Sequence, residues 1–380
     1  MVFILTRLPL ISLTNTSSIM NQKIYSVITG TGSYVPSRKV SNEDFMHHEF
    51  FDSDGLKLKN DNREIIDKFQ EITTIEERRY LSDDLVTSDI AFYAAAEAIA
   101  TANIDKESLD YIIVAHNFGD IKANTNRTDI VPCLAARVKH KLAIQNPKTV
   151  VYDLPFGCPG WLQAMIQADY YLRSGDAKKI LIIGAEVLSR VCDPHDRDSL
   201  LYADGAGAAI LEARESAEPL GILAHNTRSD TLLYANMLFM GKSNNPAYTP
   251  KDNLFLKMNG RKLYQYALET VPLAIKECLE KCSIPLLAIK KTLIHQANGK
   301  MDDAIIKRLF GLFGLKEIPE NFMPMSISWL GNSSVATLPT LLDLILKKLL
   351  PPHRIDGGDL LVFASVGAGM NINAVVYKMP

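Results

Sequence analysis

Two patterns of hydrophobic and polar residues alternate along the chain. Short apolar segments bounded by turn residues are typical of buried strands, whereas apolar residues at every third or fourth position are typical of amphipathic helices. The predicted strands are residues 25–29, 111–115, 149–153, 180–184, 208–211, 292–295 and 360–364, and the predicted helices include residues 88–102, 161–174, 263–281, 304–313 and 335–350. The alternation predicts an α/β protein built from layers of sheet and helix.

The order of elements repeats once within the chain. In the first half DYIIVAHN, VVYDLPFGCPGWLQAMIQADYYLRSG and KKILIIGAE follow one another; in the second half KKTLIHQAN, MSISWLGNSSVATLPTLLDLILKKL and DLLVFASVGAG do so. Each half therefore predicts a strand, a helix, a strand-turn-helix unit and a strand. Superposing the halves places Cys158 and Asn332 in equivalent turns, and makes the strand ending at His295 equivalent to the one ending at Ala115. We expect the equivalent turns to converge on one central site.

The chain is expected to fold as two halves preceded by an extension. A polar stretch, residues 213–219, follows a predicted strand and favours a boundary between residues 24–215 and residues 216–380. Residues 1–23 hold the only candidate targeting segment, but its apolar run is interrupted by Arg7 and no clear cleavage site follows. We therefore predict a disordered extension there.

Composition indicates the class of protein and its compartment. Of the 380 residues 47% are hydrophobic and 22% are charged, as in globular proteins, and the net charge of −2 gives no overall field for nucleic acid or an anionic membrane. The five cysteines are irregularly spaced, which argues against a disulfide framework and for a reducing compartment. Cys278 and Cys282 lack a second pair at ligand spacing, so no metal site is expected. We expect a cytoplasmic protein.

Cys158 lies in FGCPGW, where a strand is expected to turn into a helix. Pro159 suits the first position of that helix, and Gly175 suits its end. A cysteine at a helix N-terminus lies at the positive end of the dipole, which favours the thiolate, and free backbone N–H groups there can bind an oxyanion. A buried structural cysteine is the alternative, and the pattern alone leaves the two interpretations open.

His295 and Asn332 are the other candidates for chemistry. His295 ends an apolar strand, where ligands bind in α/β folds, although a histidine there is also often a hydrogen-bonded core residue. Asn332 follows Gly331 and precedes two serines, a context in which asparagine commonly caps a helix. A cysteine, a histidine and an asparagine suit thiolate catalysis with carbonyl polarisation, but a papain-like hydrolase uses the same residue types.

The motifs FGCPGW, HQAN and GNSSVAT, in this order, resemble the Cys, His and Asn motifs of β-ketoacyl-acyl-carrier-protein synthase III. GTGSYVP, VLSRVCDPHDRDSLLYADGAGAAIL, MNGRKLY and VGAGMN agree with the same family, so the resemblance covers residues 24–379. It implies a thiolase-like fold, in which two pseudo-repeated βαβαβ-type halves form αβαβα layers, and it implies a homodimer. GTGSYV is no dinucleotide-binding loop, because Val35 stands where the third glycine belongs.

The resemblance also implies a reaction, a decarboxylative Claisen condensation in fatty acid or related biosynthesis. Cys158 would attack an acyl thioester and hold the acyl group, while His295 and Asn332 would hydrogen-bond to a malonyl thioester as it loses carbon dioxide. The backbone N–H groups of Cys158 and Ala368 would form the oxyanion hole. No cofactor is implied beyond the coenzyme A or phosphopantetheine that carries the substrates.

Further positions are carried over from the family for the carriers and the acyl chain. They are Arg197, Gly260 and Asn298 for coenzyme A or phosphopantetheine, Lys300, Lys307 and Arg308 for docking of an acyl carrier protein, and Val131 for the acyl pocket. An acidic carrier protein would be attracted to the basic residues, for which an ordinary solvated helix face is the alternative. Valine at position 131, in place of a bulkier aromatic residue, would leave room for a longer or branched primer.

The chain departs from the family where the adenine of coenzyme A is clamped. Lys68 and Ile72 replace the family's tryptophan and arginine, and the preceding segment, residues 45–62, is longer than usual and rich in charge. Either coenzyme A binds differently here, or the acyl donor is not a free coenzyme A ester.

Other classes fit less well. A thiolase would need a second reactive cysteine in SVGAGMN, a hydroxymethylglutaryl-coenzyme A synthase would need a glutamate in AHNFGD, and the C-terminal motif of plant-type polyketide synthases is a poor match. A secondary-metabolite relative that condenses two acyl chains, or transfers an acyl group to oxygen, stays open. So do a cysteine hydrolase and a non-catalytic partner subunit, although retention of Cys158, His295 and Asn332 argues against the subunit.

Overall fold

The computed structural model describes residues 23–380. The predicted extension at residues 1–23 lies outside the described residues, apart from Lys23, which begins the first strand. Within the described range, no helix is both long enough and apolar enough to cross a membrane.

The strands and helices alternate as the sequence predicts. The strands are β1 (Lys23–Tyr34), β2 (Arg38–Ser41), β3 (Glu77–Tyr80), β4 (Tyr111–His116), β5 (Asp120–Ile121), β6 (Thr128–Asp129), β7 (Val150–Pro155), β8 (Lys179–Val187), β9 (Asp204–Ser216), β10 (Gly221–Ser229), β11 (Leu238–Gly241), β12 (Phe255–Met258), β13 (Ile289–Ile294), β14 (Leu360–Gly367) and β15 (Asn371–Lys378). The helices are α1 (Asn62–Thr73), α2 (Thr87–Ala102), α3 (Leu134–Lys141), α4 (Gly160–Ser174), α5 (Thr231–Tyr234), α6 (Gly260–Lys281), α7 (Gly299–Leu312), α8 (Ile327–Leu330) and α9 (Thr337–Leu346). Every predicted strand and helix overlaps one of these elements.

The two larger sheets have the same topology. In the first, ordered β1-β9-β8-β4-β7, β4 is parallel to β7 and β8, and β9 is antiparallel to β8 and β1. In the second, ordered β10-β15-β14-β13, β13 is parallel to β14, and β15 is antiparallel to β14 and β10. Strands β1, β9, β8 and β4 therefore correspond to β10, β15, β14 and β13, which confirms the internal repeat.

Helices α4 and α9 lie between the two sheets. Their apolar faces share one core with the inward side chains of both sheets, including Trp161 of α4, Leu341 of α9, Ile182 of β8 and Phe363 of β14. Helices α2 and α3 cover the other face of the first sheet, and α6 and α7 cover the other face of the second. Since successive side chains of a strand point to opposite faces, both sheets are buried on two sides. The result is the predicted αβαβα arrangement.

The second half lacks the strand that the repeat predicts just before Asn332. Residues 321–326 run beside β13, and the N–H of Thr292 donates to the carbonyl of Phe322 at 2.9 Å, but the segment forms no strand among the described residues. Pro324 has no N–H to donate, so it cannot sustain a regular ladder. The turn that carries Asn332 therefore follows a helix, α8.

The predicted strand at residues 208–211 is too short. The observed strand β9 continues to Ser216, which pairs with Lys23, so the polar stretch at residues 213–219 is partly strand. The end of β9 extends beyond the core into solvent. Its residues there are polar, so the sequence resembles a loop. The connection to the second sheet is residues 217–220, between β9 and β10.

Gly184 of β8 permits the close approach of the turn that precedes α9. A Cβ at this position would overlap the carbonyl oxygen of Val335 and would lie 3.3 Å from the Cβ of Trp161. We therefore expect Gly184→Ala to destabilise the fold by about 1–3 kcal/mol, as overpacking of a core typically does. Urea unfolding of the wild type and the variant measures this difference.

Gly311 of α7 is the matched control, because a Cβ there would meet no atom within 4 Å. Alanine is favoured over glycine in a helix by about 0.5–1 kcal/mol, so Gly311→Ala should unfold at the same or a higher urea concentration than the wild type. Equal stability of the Gly184→Ala protein and the wild type would contradict the packing at Val335.

Candidate active site

Cys158 lies in the turn between β7 and α4. The helix begins at Gly160 with Pro159 at its cap, so Pro159 precedes the helix and does not occupy its first position. Gly175 ends the helix in the left-handed region, at φ +83°, as predicted. The backbone N–H of Cys158 is therefore outside the helix and close to its positive end.

The Cys158 turn is in contact with the loop that follows β14. A Cβ on Gly367 would lie 2.5 Å from the nitrogen of Cys158, and a Cβ on Gly157 would lie 2.8 Å from the nitrogen of Ala368. Only glycine allows this approach, and Gly157 also has a φ of +67°. The structure thus brings together the N–H groups of Cys158 and Ala368, which the family resemblance assigns to an oxyanion hole.

Asn332 reaches the same site from the turn after α8. Its backbone is held by hydrogen bonds to Leu201 and from Ala203, at 2.9 Å and 2.8 Å. Its side-chain oxygen accepts from the N–H of Ser334 at 2.9 Å, which agrees in part with the capping interpretation, but Nδ2 has no hydrogen-bond partner within residues 23–380. The hydroxyl of Ser334 donates to the sulfur of Cys158 at 3.3 Å, so this turn lies beside the candidate nucleophile.

His295 follows β13 and is almost wholly buried. Its N–H donates to the carbonyl of Ala364 at 2.8 Å, and the side chain of Gln296 donates to the carbonyl of Pro324 at 3.0 Å, on the segment that leads to Asn332. The ring atom Nδ1 has no hydrogen-bond partner in the described part of the chain. Burial lowers the pKa of His295 to about 4, so the imidazole is neutral at physiological pH.

Cys158 is less acidic than its place near a helix N-terminus predicts. Burial, and secondarily the Glu186 carboxylate, raise the pKa of its thiol to about 11, in spite of the hydrogen bond from Ser334. Desolvation outweighs the helix dipole, which is typically worth about 0.3–1 kcal/mol. The effect of the helix N-terminus, which favours the thiolate, is therefore outweighed, and Cys158 is a thiol at neutral pH.

The sequence pattern does not single out three polar residues near Cys158, namely Asn117, Glu186 and Ser334. Glu186 is an acidic residue in strand β8, which is apolar apart from it and Lys179 at the strand's start, and the Glu186 side chain is wholly buried. An ionisable residue within a buried strand is the signal that could have identified it. Burial raises the pKa of Glu186 to about 7.

The residues predicted to bind coenzyme A or phosphopantetheine lie on three different elements. Arg197 is exposed in a short helical turn before β9, and Gly260 is the first residue of α6. Asn298 caps α7, where its side chain accepts from the N–H of Met301 at 3.1 Å. Asn298 therefore has a structural contact that would also orient it.

Lys300, Lys307 and Arg308, the predicted docking residues, are all exposed on α7. Lys300 pairs with Glu71 of α1 at 3.0 Å, and Glu71 also pairs with Lys68 at 2.8 Å. Exposed ion pairs of this kind contribute little to stability, so they leave the basic residues available. The position that departs from the family's adenine clamp, Lys68, thus lies beside the basic helix.

Val131 is exposed and does not line the surface cavity beside its loop. It is 82% exposed, in the loop between β6 and α3. A surface cavity of about 570 Å³ beside this loop is lined by Pro132, but neither Val131 nor Cys158 lines it. Among the residues that the structure describes, Val131 therefore contributes nothing to this cavity.

The neutral state of His295 makes stability depend on pH. Its pKa is about 4 in the folded protein and about 6.5 in the unfolded chain, so the unfolded state binds more protons between these values. The stabilising contribution is complete above about pH 6.5 and is lost as the pH falls toward about 4. We expect the wild type to lose about 2 kcal/mol relative to His295→Gln between about pH 7.5 and about pH 5, since other groups titrate alike in both. Urea unfolding measures this, and equal losses would contradict a buried neutral histidine.

Comparison with known proteins identifies the family. The profile described as 3-oxoacyl-acyl-carrier-protein (ACP) synthase III matches residues 152–231, and the profile of the C-terminal part of the same enzyme matches residues 279–379. A β-ketoacyl-acyl-carrier-protein synthase III from Prochlorococcus marinus (strain NATL2A) is 30% identical over 355 residues, which cover 92% of this chain and 94% of that protein.

Solved structures agree with this result. The synthase III from Thermus thermophilus is 30% identical with a TM-score of 0.76, and the enzyme from Aquifex aeolicus VF5 is 27% identical with a TM-score of 0.75. In both cases the match covers 93% of this chain and 99% of the other. The agreement confirms the predicted thiolase-like fold. The chain belongs to the β-ketoacyl-acyl-carrier-protein synthase III family.

Proposed function

We propose that this protein is an acyltransferase that catalyses the decarboxylative condensation of an acyl thioester primer with a malonyl thioester, carried by acyl carrier protein, to give a β-ketoacyl thioester in fatty acid biosynthesis. The observation that carries the proposal is the contact of the Cys158 turn with the loop of Ala368 and with Ser334, in the turn that carries Asn332. The relatives from Prochlorococcus marinus and Aquifex aeolicus are named for the same activity.

In the first step Cys158 becomes acylated. Its sulfur attacks the carbonyl carbon of the acyl thioester, the bond from that carbon to the carrier sulfur breaks, and the thiol proton ends on the departing carrier. The N–H groups of Cys158 and Ala368, which lie on two turns in contact, stabilise the tetrahedral oxyanion; loss of one such donor typically costs about 3–4 kcal/mol. This step supplies the electrophile for the condensation.

In the second step the malonyl thioester loses carbon dioxide. The electrons of the broken carbon–carbon bond move toward the thioester carbonyl, whose oxygen gains negative charge. Nδ2 of Asn332 is unpaired in the described chain and its amide is held by Ser334, so it is preorganised to donate to this oxygen. The neutral ring of His295 donates beside it without placing an uncompensated charge in the core.

In the third step the carbanion attacks the acyl-Cys158 carbonyl. The new carbon–carbon bond forms, the bond to the sulfur of Cys158 breaks, and the sulfur takes up one proton to regenerate the thiol. The net reaction consumes that proton and releases one carbon dioxide. The same two N–H groups stabilise the oxyanion in the first and third steps.

The carrier approaches along the basic helix α7. Lys300, Lys307 and Arg308 are exposed on it and attract an acidic carrier protein. Arg197, Gly260 and Asn298 contact the phosphopantetheine arm or coenzyme A, which are substrate carriers and not resident cofactors; Arg197 is exposed and Asn298 is oriented by its cap.

The active form is a cytoplasmic homodimer. Strand β7 is an outer strand of the first sheet, none of its residues is fully buried, and it offers a free edge to a second copy. The exposed Val131 reaches the acyl pocket of that copy, where its modest size admits a longer or branched primer. The cysteines Cys133, Cys158, Cys192, Cys278 and Cys282 are all free thiols in the structure, which suits a reducing compartment.

Acylation of Cys158 tests the first step. After incubation with acyl-coenzyme A or acyl-carrier protein, the intact mass of the wild type should rise by one acyl group, and that of Cys158→Ala should not, because the nucleophile is absent. Cys133→Ala is the matched control, since Cys133 is also a partly exposed thiol and should leave the mass gain intact. No gain on the wild type, or an equal gain on Cys158→Ala, would reject the proposal.

The role of His295 is tested by separating the two half-reactions. His295→Ala should still become acylated, but its release of carbon dioxide from malonyl-carrier protein should fall by about 10²–10³-fold, the typical loss for one donor to a developing oxyanion. His47→Ala, which changes an exposed histidine, is the control and should match the wild type. Unimpaired release of carbon dioxide by His295→Ala would show that the ring does not take part.

A further inference from the structure

A chain of polar side chains leads from the sulfur of Cys158 to a buried carboxylate. The hydroxyl of Ser334 donates to the sulfur at 3.3 Å, and Nδ2 of Asn117 donates to the Ser334 oxygen at 3.1 Å. Nδ2 also donates to the Glu186 carboxylate, to which the backbone N–H of Asn117 donates at 3.1 Å. These residues come from three separate elements: the ends of β4 and β8 and the turn before α9.

The hydrogen bonds that link these side chains can be arranged in only one way. An ionised carboxylate only accepts hydrogen bonds, so Glu186 fixes the Asn117 amide with its NH₂ group inward. The second hydrogen of that NH₂ is directed at the oxygen of Ser334, whose own hydrogen is then available for the sulfur of Cys158. The Asn117 amide does not give up a proton near neutral pH. This series of hydrogen bonds therefore orients a donor toward the sulfur and does not conduct a proton.

Glu186 has no competing hydrogen-bond partner within residues 23–380. Two ionisable residues face it from the neighbouring strands, and both are engaged elsewhere. His116 of β4 accepts from the N–H of Gly119 at 3.0 Å and donates to Asp153 at 2.8 Å. Asp204 of β9 accepts from the hydroxyl of Ser189 and from the backbone N–H groups of Ser189 and Leu81. Among the described residues, the carboxylate of Glu186 is therefore hydrogen-bonded only by Asn117.

Ser334 is held in an unfavourable backbone conformation. Its φ of +53° lies in the left-handed region, which serine rarely occupies and which is relieved by glycine. Strain of this kind persists where the surrounding structure requires it, and here it presents the hydroxyl to the sulfur.

We propose that Glu186, Asn117 and Ser334 are positioning residues that set the reactivity of the Cys158 thiol. The hydroxyl of Ser334, oriented by the Asn117 amide, stabilises the thiolate, while the negative charge of Glu186, which holds that amide, disfavours it. The two effects shift the pKa of the Cys158 thiol in opposite directions and can be separated by substitution. The inference rests on the proposed role of Cys158 as the acyl carrier.

The test is the pH dependence of alkylation by iodoacetamide, in which the Cys158 thiolate displaces iodide. The peptide that contains Cys158 is quantified by mass spectrometry across the pH range, and the peptide that contains Cys133 serves as an internal reference in the same samples. Thermal melting of each variant establishes that it is folded. This readout needs no acyl substrate, so it tests the donor chain even if the proposed condensation is not observed.

Loss of the hydroxyl should raise the pKa of the thiol. Ser334→Ala should alkylate at Cys158 about tenfold more slowly near neutral pH, because one hydrogen bond to an ionised group corresponds to about one pKa unit. Ser334→Gly also relieves the strained backbone, so it should melt at a higher temperature than Ser334→Ala yet alkylate equally slowly. A purely structural role for Ser334 would instead restore the alkylation rate in the glycine variant.

Removal of the Glu186 charge should lower the pKa of the Cys158 thiol. In Glu186→Gln the side-chain carbonyl can still hold the Asn117 amide, so alkylation at Cys158 should become about tenfold faster above about pH 8. Since burial raises the pKa of Glu186 to about 7, the wild-type carboxylate is itself neutral at lower pH, and the two rates should converge below about pH 6.

Three outcomes would overturn the proposal: an unchanged profile in Ser334→Ala, recovery of the rate in Ser334→Gly, or a slower or unchanged rate in a folded Glu186→Gln. If Glu186→Gln does not fold, the alkylation profiles of Ser334→Ala and Ser334→Gly are sufficient to support or reject the proposal.

Discussion

The core shared by the two sheets is the constraint on which the rest of the molecule depends. Helix α4 comes from the first half and α9 from the second, and each must bury an apolar face that its own half cannot cover completely. They do so between both sheets, where the rings of Trp161 and Phe363 lie 6.2 Å apart. The turns that start these helices are therefore in contact, as the hydrogen bond from Ser334 to Cys158 shows. Neither half holds a complete site: Cys158 belongs to one, and His295 and Asn332 belong to the other.

Burial has different consequences for the groups that meet there. It keeps His295 uncharged, which suits a hydrogen-bond donor in a region with little water. It also keeps the Cys158 thiol protonated, which opposes nucleophilic attack. The hydroxyl of Ser334, which donates to the sulfur, offsets part of that penalty. A dry site and a reactive thiol are thus compatible only because the polar groups are held in place before the substrate arrives.

Much of the fold could be predicted from the sequence, because strands buried on both faces are continuous apolar runs. β4 and β8 are of this kind, and the order of elements around them reveals the repeat. β10 could not be predicted in this way, since polar residues such as His225 and Asn226 interrupt it, and the segment before Asn332 forms the short helix α8 in place of the strand that the repeat predicts. Short motifs identified the candidate Cys, His and Asn residues.

The surroundings of those three residues could not be predicted in the same way. Asn117, Glu186 and Ser334 are far apart in sequence, and each is unremarkable alone. The acidity of Cys158 likewise depends on how much protein surrounds the sulfur, a tertiary property that a helix N-terminus in the sequence does not reveal.

The irregular segment at residues 321–326 also limits how this protein can associate with itself. Each of the two large sheets has two outer strands. β1 and β10 lie close together, so a Cβ on Gly221 would overlap the carbonyl of Ser26, and β13 is covered by the irregular segment. Of the outer strands of these two sheets, β7 alone keeps an uncovered edge. One open edge permits a closed pair about a two-fold axis, whereas two open edges would permit an endless fibre.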